Sequence, residues 1–356
     1  MIDKLKNMFK KAKESTSAMV GQRATMKACM MGPRAVGKTT ILTSIFHNTS
    51  ESIAQTNLKF VADADTLARM NTCRNEINSI FEECKSVIDR PSAGVSSTSS
   101  VNIFHYEFGL KGKATAVDLE IKDFPGEFIN GGLHSGDVDQ FIAESNAVLI
   151  AIDTPHLMEE KGSFNEAKNM SQVICNYFKN NVGDEDEKLI LLVPLKCEKY
   201  YYQHRMAEVN ASVKEAYKDL IEFLNTTPQV ACAITPILTI GGIEFDDFSR
   251  NGSGTIITNP GGLPDETHYK FYAPRPKLRP MYCVQPLYYI LSYVTNQYAD
   301  NQSKGNVFKR FVSNLFNLFS SDVDLYNEMK NIGNFKLRDK EGYEIICGEN
   351  MLDVNK

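Results

Sequence analysis

The sequence lacks tryptophan and any closely spaced pair of cysteines. Its eight cysteines stand singly along the chain, so no CxxC motif indicates a zinc site or a redox-active dithiol. Several of these cysteines lie in apolar runs, where a free thiol behaves as a small buried hydrophobic side chain. The pattern indicates a reduced protein without a metal cluster, and we expect a cytoplasmic location.

Long apolar runs and an excess of positive charge are also missing. No uninterrupted apolar run approaches the length of a membrane span, and lysines interrupt the N-terminus, which therefore has no signal-peptide core. The net charge is −5, and no general excess of basic residues favours nucleic acid binding. We therefore expect no nucleic acid partner.

The segment 1–23 has the pattern of an amphipathic helix. Its apolar residues, among them Ile2, Leu5 and Phe9, recur at helical spacing opposite several lysines. Such a helix can dock on its own domain, which is the interpretation that we favour, or it can make a peripheral contact with an anionic membrane surface or a partner.

Apolar segments alternate with amphipathic helical segments along most of the chain. Strands are predicted at 25–31, 101–110, 115–124, 147–153, 188–195 and 230–240, and helices at 63–90, 163–181, 203–225 and 284–298. This alternation predicts an α/β domain of three layers with a mostly parallel central sheet and one antiparallel hairpin strand. We place this domain at 24–300, with a helical insertion at 52–92 and an irregular, Gly- and Pro-rich insertion at 241–283. The remaining segment, 301–356, is predicted to form an amphipathic helix and a small hairpin tail.

The stretch "GPRAVGKT" matches the phosphate-binding pattern G-x-x-x-x-G-K-[ST]. It follows an apolar strand and precedes an apolar-faced helix, which is the context that the pattern requires. Backbone N–H groups of such a loop point at phosphates, the lysine reaches the β- and γ-phosphates, and the threonine hydroxyl binds Mg²⁺. The residues predicted to contact the nucleotide here are Gly32, Pro33, Arg34, Ala35, Val36, Gly37, Lys38, Thr39 and Thr40.

A second motif, "DFPGE", ends the strand 115–124. An acidic residue at this place, Asp123, is where a P-loop protein holds Mg²⁺, and the backbone N–H of Gly126 can touch the γ-phosphate. An ordinary strand that ends in a Pro-Gly turn is the alternative, but the preceding phosphate loop disfavours it.

With these motifs the chain resembles the Ras-like, translation-factor-related P-loop GTPases. The resemblance implies that a loop threonine closes over Mg²⁺ and the γ-phosphate, for which Thr98 is the candidate, although neighbouring serines or a plain Ser-rich loop fit nearly as well. It also implies a base-recognition motif N-K-x-D after the strand 188–195, where this chain has "LKCE". Lys196 would lie along the base and Glu198 would accept hydrogen bonds from guanine, but Leu195 stands where the family has Asn, so an ordinary surface loop is the alternative.

The trio "GPRAVGKTT", "DFPGE" and "LKCEK", with the late "QPLYYIL" helix, is most similar to the bacterial double-GTPase (DO-GTPase) families. That resemblance covers about residues 25–240 and the helix at 284–298. It implies GTP or GDP with Mg²⁺ as ligands and a role in a defence or conflict system.

Hydrolysis is expected to be slow, because Glu127 stands where the class commonly has a water-positioning Gln. Lys38 would neutralise the phosphates, and Arg34 either reaches the γ-phosphate as a finger supplied in cis or, as we favour, faces solvent or a partner. The resulting hypothesis is a guanine-nucleotide switch stimulated by an unidentified partner protein, with an oligomer possible. The alternatives are a nucleotide-bound scaffold that does not hydrolyse, and an ATPase with relaxed base specificity.

Overall fold

The computed structural model describes residues 24–53, 58–82, 87–88, 100–112, 115–130, 135–272, 277–299 and 342–352. Three predictions lie outside the described residues: the N-terminal helix, Thr98, and the amphipathic helix that follows residue 301. Residues 339–341 of the "DKEG" turn in the predicted tail hairpin also lie outside them.

An eight-stranded sheet forms the centre of the protein, in the order β11-β8-β7-β6-β1-β5-β4-β2. Its strands are β1 (Ala24–Met31), β2 (Leu58–Ala62), β4 (Asn102–Leu110), β5 (Thr115–Asp123), β6 (Ala147–Asp153), β7 (Lys188–Leu195), β8 (Val230–Ile234) and β11 (Glu344–Cys347), while β3 (Val87–Ile88) belongs to a second sheet. The five strands β8, β7, β6, β1 and β5 run parallel. At one edge β4 pairs antiparallel with β5, and β2 pairs antiparallel with β4; at the other edge β11 pairs antiparallel with β8. Every residue of β6 and β7 is buried, as strands covered on both faces require.

Helices cover both faces of this sheet. They are α1 (Lys38–Ser52), α2 (Ala64–Glu82), α3 (Ser135–Glu144), α4 (Thr154–Met158), α5 (Asn165–Asn169), α6 (Ser171–Asn181), α7 (Glu198–Tyr202), α8 (Met206–Ala216), α9 (Lys218–Asn225), α10 (Gln285–Ala299) and α11 (Glu349–Leu352), with 3₁₀ turns at Gly126–Asn130 and Glu159–Gly162. Successive side chains of β1 point to opposite faces of the sheet, which shows the three layers. Met30 packs with α1 and α10 on one face, whereas Cys29 and Met31 pack with α3 and α6 on the other. The predicted three-layer P-loop α/β fold is confirmed.

Several predicted elements are shorter than the sequence pattern indicates. The helix predicted at 63–90 ends at Glu82, and the one at 163–181 divides at Met170, which takes a left-handed φ of 53°. The helix predicted at 203–225 likewise comprises α8 and α9. The strand predicted at 230–240 ends at Ile234, although the backbone N–H groups of Thr235 and Ile237 still donate to the carbonyls of Leu192 and Pro194 in β7.

The two predicted insertions contain strands that the sequence reading missed. β9 (Ile243–Phe248) and β10 (Thr267–Phe271) pair antiparallel, and β3 pairs with β10, so the segment 241–283 is not wholly irregular. The other insertion contributes β2, an edge strand, and the helix α2. A small core joins α2 to this second sheet through Ile80, Ile243, Phe245, Phe248 and Tyr269.

At the edge of the main sheet opposite β2, β11 pairs antiparallel with β8 and so attaches residues 344–347 to that sheet. In the part of the chain that the structure describes, no helix is long and apolar enough to cross a membrane.

Candidate functional site

The phosphate loop lies between β1 and α1 and depends on two glycines. Gly32 has φ +146°, and a Cβ there would lie 2.7 Å from the carbonyl oxygen of Ala151. Gly37 has φ +107° immediately before the first residue of α1. Side chains are disfavoured at both positions, so the chain wraps tightly at the positive end of α1.

Lys38 is buried beneath this loop. Its Nζ donates to the carbonyl oxygen of Gly32 at 3.0 Å and to that of Pro33 at 3.2 Å. Burial lowers the pKa of Lys38, while the charges of Asp123 and Glu127 oppose that effect. The ammonium group is therefore held where an anion bound by the loop would meet it.

Asp123 and Thr39 meet at the end of β5. The parallel register places Asp123 beside Met30 at the end of β1, and Thr39 Oγ1 donates to Asp123 Oδ2 at 3.0 Å. A hydroxyl and a carboxylate next to a phosphate loop are hard oxygen ligands, the donor set that Mg²⁺ prefers. The residues present therefore fit the predicted magnesium site.

The Pro-Gly turn after β5 lies directly against the phosphate loop. A Cβ on Gly126 would stand 2.3 Å from the backbone nitrogen of Arg34 and 2.5 Å from the carbonyl carbon of Pro33. The neighbouring Glu127 forms an ion pair with Arg34, with Nη1 and Oε1 3.2 Å apart and both side chains largely exposed. The structure thus brings the two phosphate motifs into contact and pairs Arg34 with Glu127.

Lys196 connects the predicted base loop to the phosphate loop. It adopts a left-handed φ of 56°, and its Nζ donates to the Ala35 carbonyl at 3.0 Å and to Asp153 Oδ2 at 2.8 Å. Burial lowers the pKa of Lys196, but Asp153 and Tyr269 together outweigh burial and raise the pKa overall. Leu195, which stands where the family has Asn, is buried in the core instead.

Glu198 is buried at the start of α7 and accepts a hydrogen bond from the backbone N–H of Gly241 at 3.2 Å. Burial raises the pKa of Glu198 to about 7, although backbone hydrogen bonds oppose the rise. The predicted base carboxylate is thus joined to the loop that follows β8.

Sequence reasoning missed Asp153, which organises this part of the site. It is fully buried at the end of β6, and His156 Nδ1 lies 2.6 Å from its Oδ1. Burial favours a raised pKa, but the charges of Lys196 and His156 hold the pKa of Asp153 well below its usual range. The available signal was an acidic residue at the carboxyl end of the apolar strand β6, the position that Asp123 occupies in β5.

Lys168 was missed as well, and no motif marks it. From α5 its Nζ donates to the carbonyl oxygen of Arg34 at 3.0 Å. The second sheet also reaches the site, since the ring of Tyr269 lies 5.8 Å from Lys196 Nζ and the ring of Phe248 lies 5.0 Å from that of His156.

The remaining predicted residues of the phosphate loop and the start of α1 differ in burial and backbone conformation. Val36 and Thr40 are buried, so their side chains serve the packing of the loop and of α1, and Ala35 takes a left-handed φ of 59°. Thr98 lies outside the described residues.

Comparisons with known proteins bear on this arrangement. Among solved structures, the S. cerevisiae Ski7 GTPase-like domain bound to GTP is similar at 12% identity, with 62% of this chain and 45% of that chain covered and a TM-score of 0.38. The same domain bound to GDP and inorganic phosphate is similar at 12% identity over 60% of this chain and 43% of that chain, with a TM-score of 0.34. The chain thus spans less than half the length of these two structures.

No protein with curated annotation matches this chain. The family model described as Double-GTPase 2 matches residues 29–231, more than half of the 356 residues. This matched region includes the phosphate loop, the Asp123 turn and the Lys196–Glu198 loop, and the chain belongs to the Double-GTPase 2 family.

Proposed function

We propose that the protein is a guanine-nucleotide switch that binds GTP or GDP with Mg²⁺ and hydrolyses GTP slowly. The observation that carries the proposal is the position of Lys196, which bonds to the phosphate loop at Ala35 and stands two residues before the buried carboxyl of Glu198. The phosphate and base motifs are thereby parts of one site.

At the phosphate end, the backbone N–H groups of the loop and the ammonium of Lys38 would bind the β- and γ-phosphates. Thr39 and Asp123 would hold Mg²⁺, which supplies charge neutralisation when it is bound. Family membership supports this assignment, because the match spans both motifs.

At the base end, Glu198 would accept hydrogen bonds from the ring N–H and exocyclic amine of guanine. Adenine offers an acceptor where guanine has its ring N–H, so an ionised carboxylate there disfavours ATP. The aliphatic part of Lys196 would lie along the base, while its ammonium group donates a hydrogen bond to the Ala35 carbonyl.

Slow hydrolysis follows from Glu127. A carboxylate can orient water, but it adds negative charge near the γ-phosphate, and Arg34 is engaged with that carboxylate at 3.2 Å. A partner protein that separates this pair would free Arg34 for the γ-phosphate and accelerate turnover. A role in a bacterial defence system, with an unidentified effector and possible membrane contact through segment 1–23, is the wider proposal.

The same ion pair favours a second candidate function, a nucleotide-bound scaffold without hydrolysis. If Arg34 and Glu127 stay paired when GTP is bound, neither group is available for catalysis. Binding would then stabilise the fold without a chemical cycle.

Competition binding of GTP, GDP and ATP to the full chain tests base identity. We expect Glu198→Ala to lose the preference for guanine by at least about tenfold, while Glu222→Ala, on the exposed side of α9, keeps it. Equal binding of ATP and GTP by the unaltered protein would instead support an ATPase.

Single-turnover phosphate release separates the switch from the scaffold. The switch predicts slow release that depends on Mg²⁺ and changes in Glu127→Ala, whereas the scaffold predicts none. Rapid release that is unaffected by Glu127→Ala would contradict the proposed mechanism.

A further inference from the structure

Three lysines from three elements donate to successive carbonyls of the phosphate loop. Lys38 binds the carbonyls of Gly32 and Pro33, Lys168 binds that of Arg34, and Lys196 binds that of Ala35. Lys38 and Lys196 belong to recognised motifs, but Lys168 lies on α5, between the "DFPGE" and "LKCE" motifs in the sequence, and carries no assigned role.

We propose that Lys168 is a positioning residue of the polyphosphate site, which fixes the Arg34–Ala35 peptide and adds a positive charge that nearby carboxylates compensate only in part and that a bound polyphosphate compensates further. The proposal rests on the proposed function and deepens it. In a trans peptide, the carbonyl and the following N–H point in opposite directions. Because Lys168 holds the Arg34 carbonyl, the N–H of Ala35 is turned away from Lys168 and held ready for an anion.

The short helix α5, which carries Lys168, is held by hydrogen bonds at both ends. The side chain of Asn169 forms hydrogen bonds with both backbone groups of Asp153. It accepts from the Asp153 N–H at 2.8 Å and donates to the Asp153 carbonyl at 3.2 Å. Glu166 accepts from Ser171 Oγ at 2.5 Å and from the backbone N–H of Gln172 at 3.1 Å. Because both ends of α5 are anchored, the backbone that carries Lys168 is held in place beside the loop.

Positive charge is in excess around the loop. Burial and the nearby charges of Lys196, Lys38 and Arg34 lower the pKa of Lys168 to about 8, and Asp153 opposes them only in part. Four cationic side chains therefore converge here against three carboxylates: those of Asp153 and Glu127 are engaged with Lys196 and Arg34, and that of Asp123 interacts with Lys38. This crowding destabilises the nucleotide-free protein and is relieved when phosphates bind.

The experiment compares Lys168→Met, Lys168→Arg and the control Lys218→Met, which removes the same charge from an exposed site on α9. Calorimetry with Mg²⁺ and either GTP, GDP or ATP gives the affinities, and thermal unfolding of the nucleotide-free full chain gives the stability. We expect Lys168→Met to weaken GTP and GDP binding about tenfold, equivalent to about 1.4 kcal/mol. Its nucleotide-free unfolding temperature should equal or exceed that of the unaltered protein, and Lys168→Arg should retain most of the affinity.

Two results would overturn the proposal. One is unchanged affinity in Lys168→Met, and the other is a fall in nucleotide-free stability, which would identify Lys168 as an ordinary structural clamp. The proposed guanine specificity is judged separately, from the ratio of GTP to ATP binding in the unaltered protein. If ATP binds as well as GTP, that specificity fails while the Lys168 effect is still measured on ATP; if neither binds, both proposals fail.

Discussion

At the scale of single residues, the site is unusual for the charges that it buries. Asp153 and Lys196 form an ion pair in the interior, and Glu198 lies buried two residues away with its carboxyl oxygen on a backbone N–H. Buried charges persist only where partners satisfy them, so the cost of removing one partner exceeds the value of the pair itself. The effect of a substitution at Asp153, Lys196 or Glu198 on the free energy of unfolding therefore depends on which partner groups remain.

Glu198→Gln tests the buried carboxyl through the dependence of stability on pH. Burial raises its folded-state pKa from 4.5 to about 7, so between these values the folded protein binds more protons than the unfolded chain. The contribution of Glu198 to the free energy of unfolding therefore falls as the pH rises through this window, by about 3 kcal/mol in total. Urea unfolding of the nucleotide-free proteins should show that the stability of the Glu198→Gln variant, relative to the unaltered protein, increases between about pH 4 and about pH 8.

Guanine would bind the ionised carboxylate, so GTP affinity should rise over the same pH range, whereas ATP affinity should not. The variant Glu222→Gln, altered at an exposed position, serves as the control. A pH-independent difference in stability between Glu198→Gln and the unaltered protein would contradict the burial of a titrating carboxyl.

Asp153→Asn tests the ion pair. The amide keeps the shape of the side chain but leaves the Lys196 ammonium without its counter-charge, so we expect a loss of about 3 kcal/mol in the free energy of unfolding. The double variant Asp153→Asn/Lys196→Met removes both charges and should recover part of this loss. Chemical denaturation of the unaltered protein, the two single variants and the double variant gives the coupling energy, and strict additivity would show that the pair is not coupled.

At the scale of elements, the site is assembled where loops after parallel strands touch one another. β1, β5, β6 and β7 all end at this edge, and each supplies a residue or loop to the site. The turn after β5 lies directly against the phosphate loop, and its Gly126 has no room for a side chain beside Arg34 and Pro33. Contact between these two loops makes the phosphate loop sensitive to the position of the turn.

Gly126→Ala should displace the turn from the phosphate loop, because the added methyl group would lie 2.3 Å from the Arg34 nitrogen. We expect GTP affinity to fall at least about tenfold, about 1.4 kcal/mol, as measured by calorimetry. Gly136→Ala is the matched control, since a Cβ at that position in α3 meets no atom within 4 Å. Equal affinities in the two variants would mean that the turn moves freely without disturbing the loop.

At the scale of the whole molecule, local sequence predicts some features well and others poorly. The runs "AVLIAID" and "KLILLVPL" match β6 and β7 because strands buried on both faces are apolar throughout. The phosphate loop could be predicted because its function depends on residues adjacent in sequence. The second sheet could not, since β3 pairs with a strand about 180 residues away, and Lys168 and Asp153 acquire partners only in the folded chain.

The second sheet, formed by β3, β10 and β9, contacts the candidate site through Phe248 of β9. Its ring is buried against Phe164 at 5.6 Å and against His156 at 5.0 Å, and His156 contacts Asp153. Phe248→Ala should cost about 3 kcal/mol of stability through the cavity that it leaves, and should loosen His156 and with it the Asp153–Lys196 pair.

Hydrogen exchange measured by mass spectrometry would detect that loosening as faster exchange in β9 and also in the loop after β7, which carries Lys196. Ile257→Ala, in the same insertion but 42% exposed, should change neither region. Faster exchange confined to β9 and β10 would show that the second sheet is energetically independent of the site. Faster exchange in both regions would instead mean that the insertion helps to hold the base loop, because the chain of contacts from Phe248 through His156 and Asp153 to Lys196 is continuous.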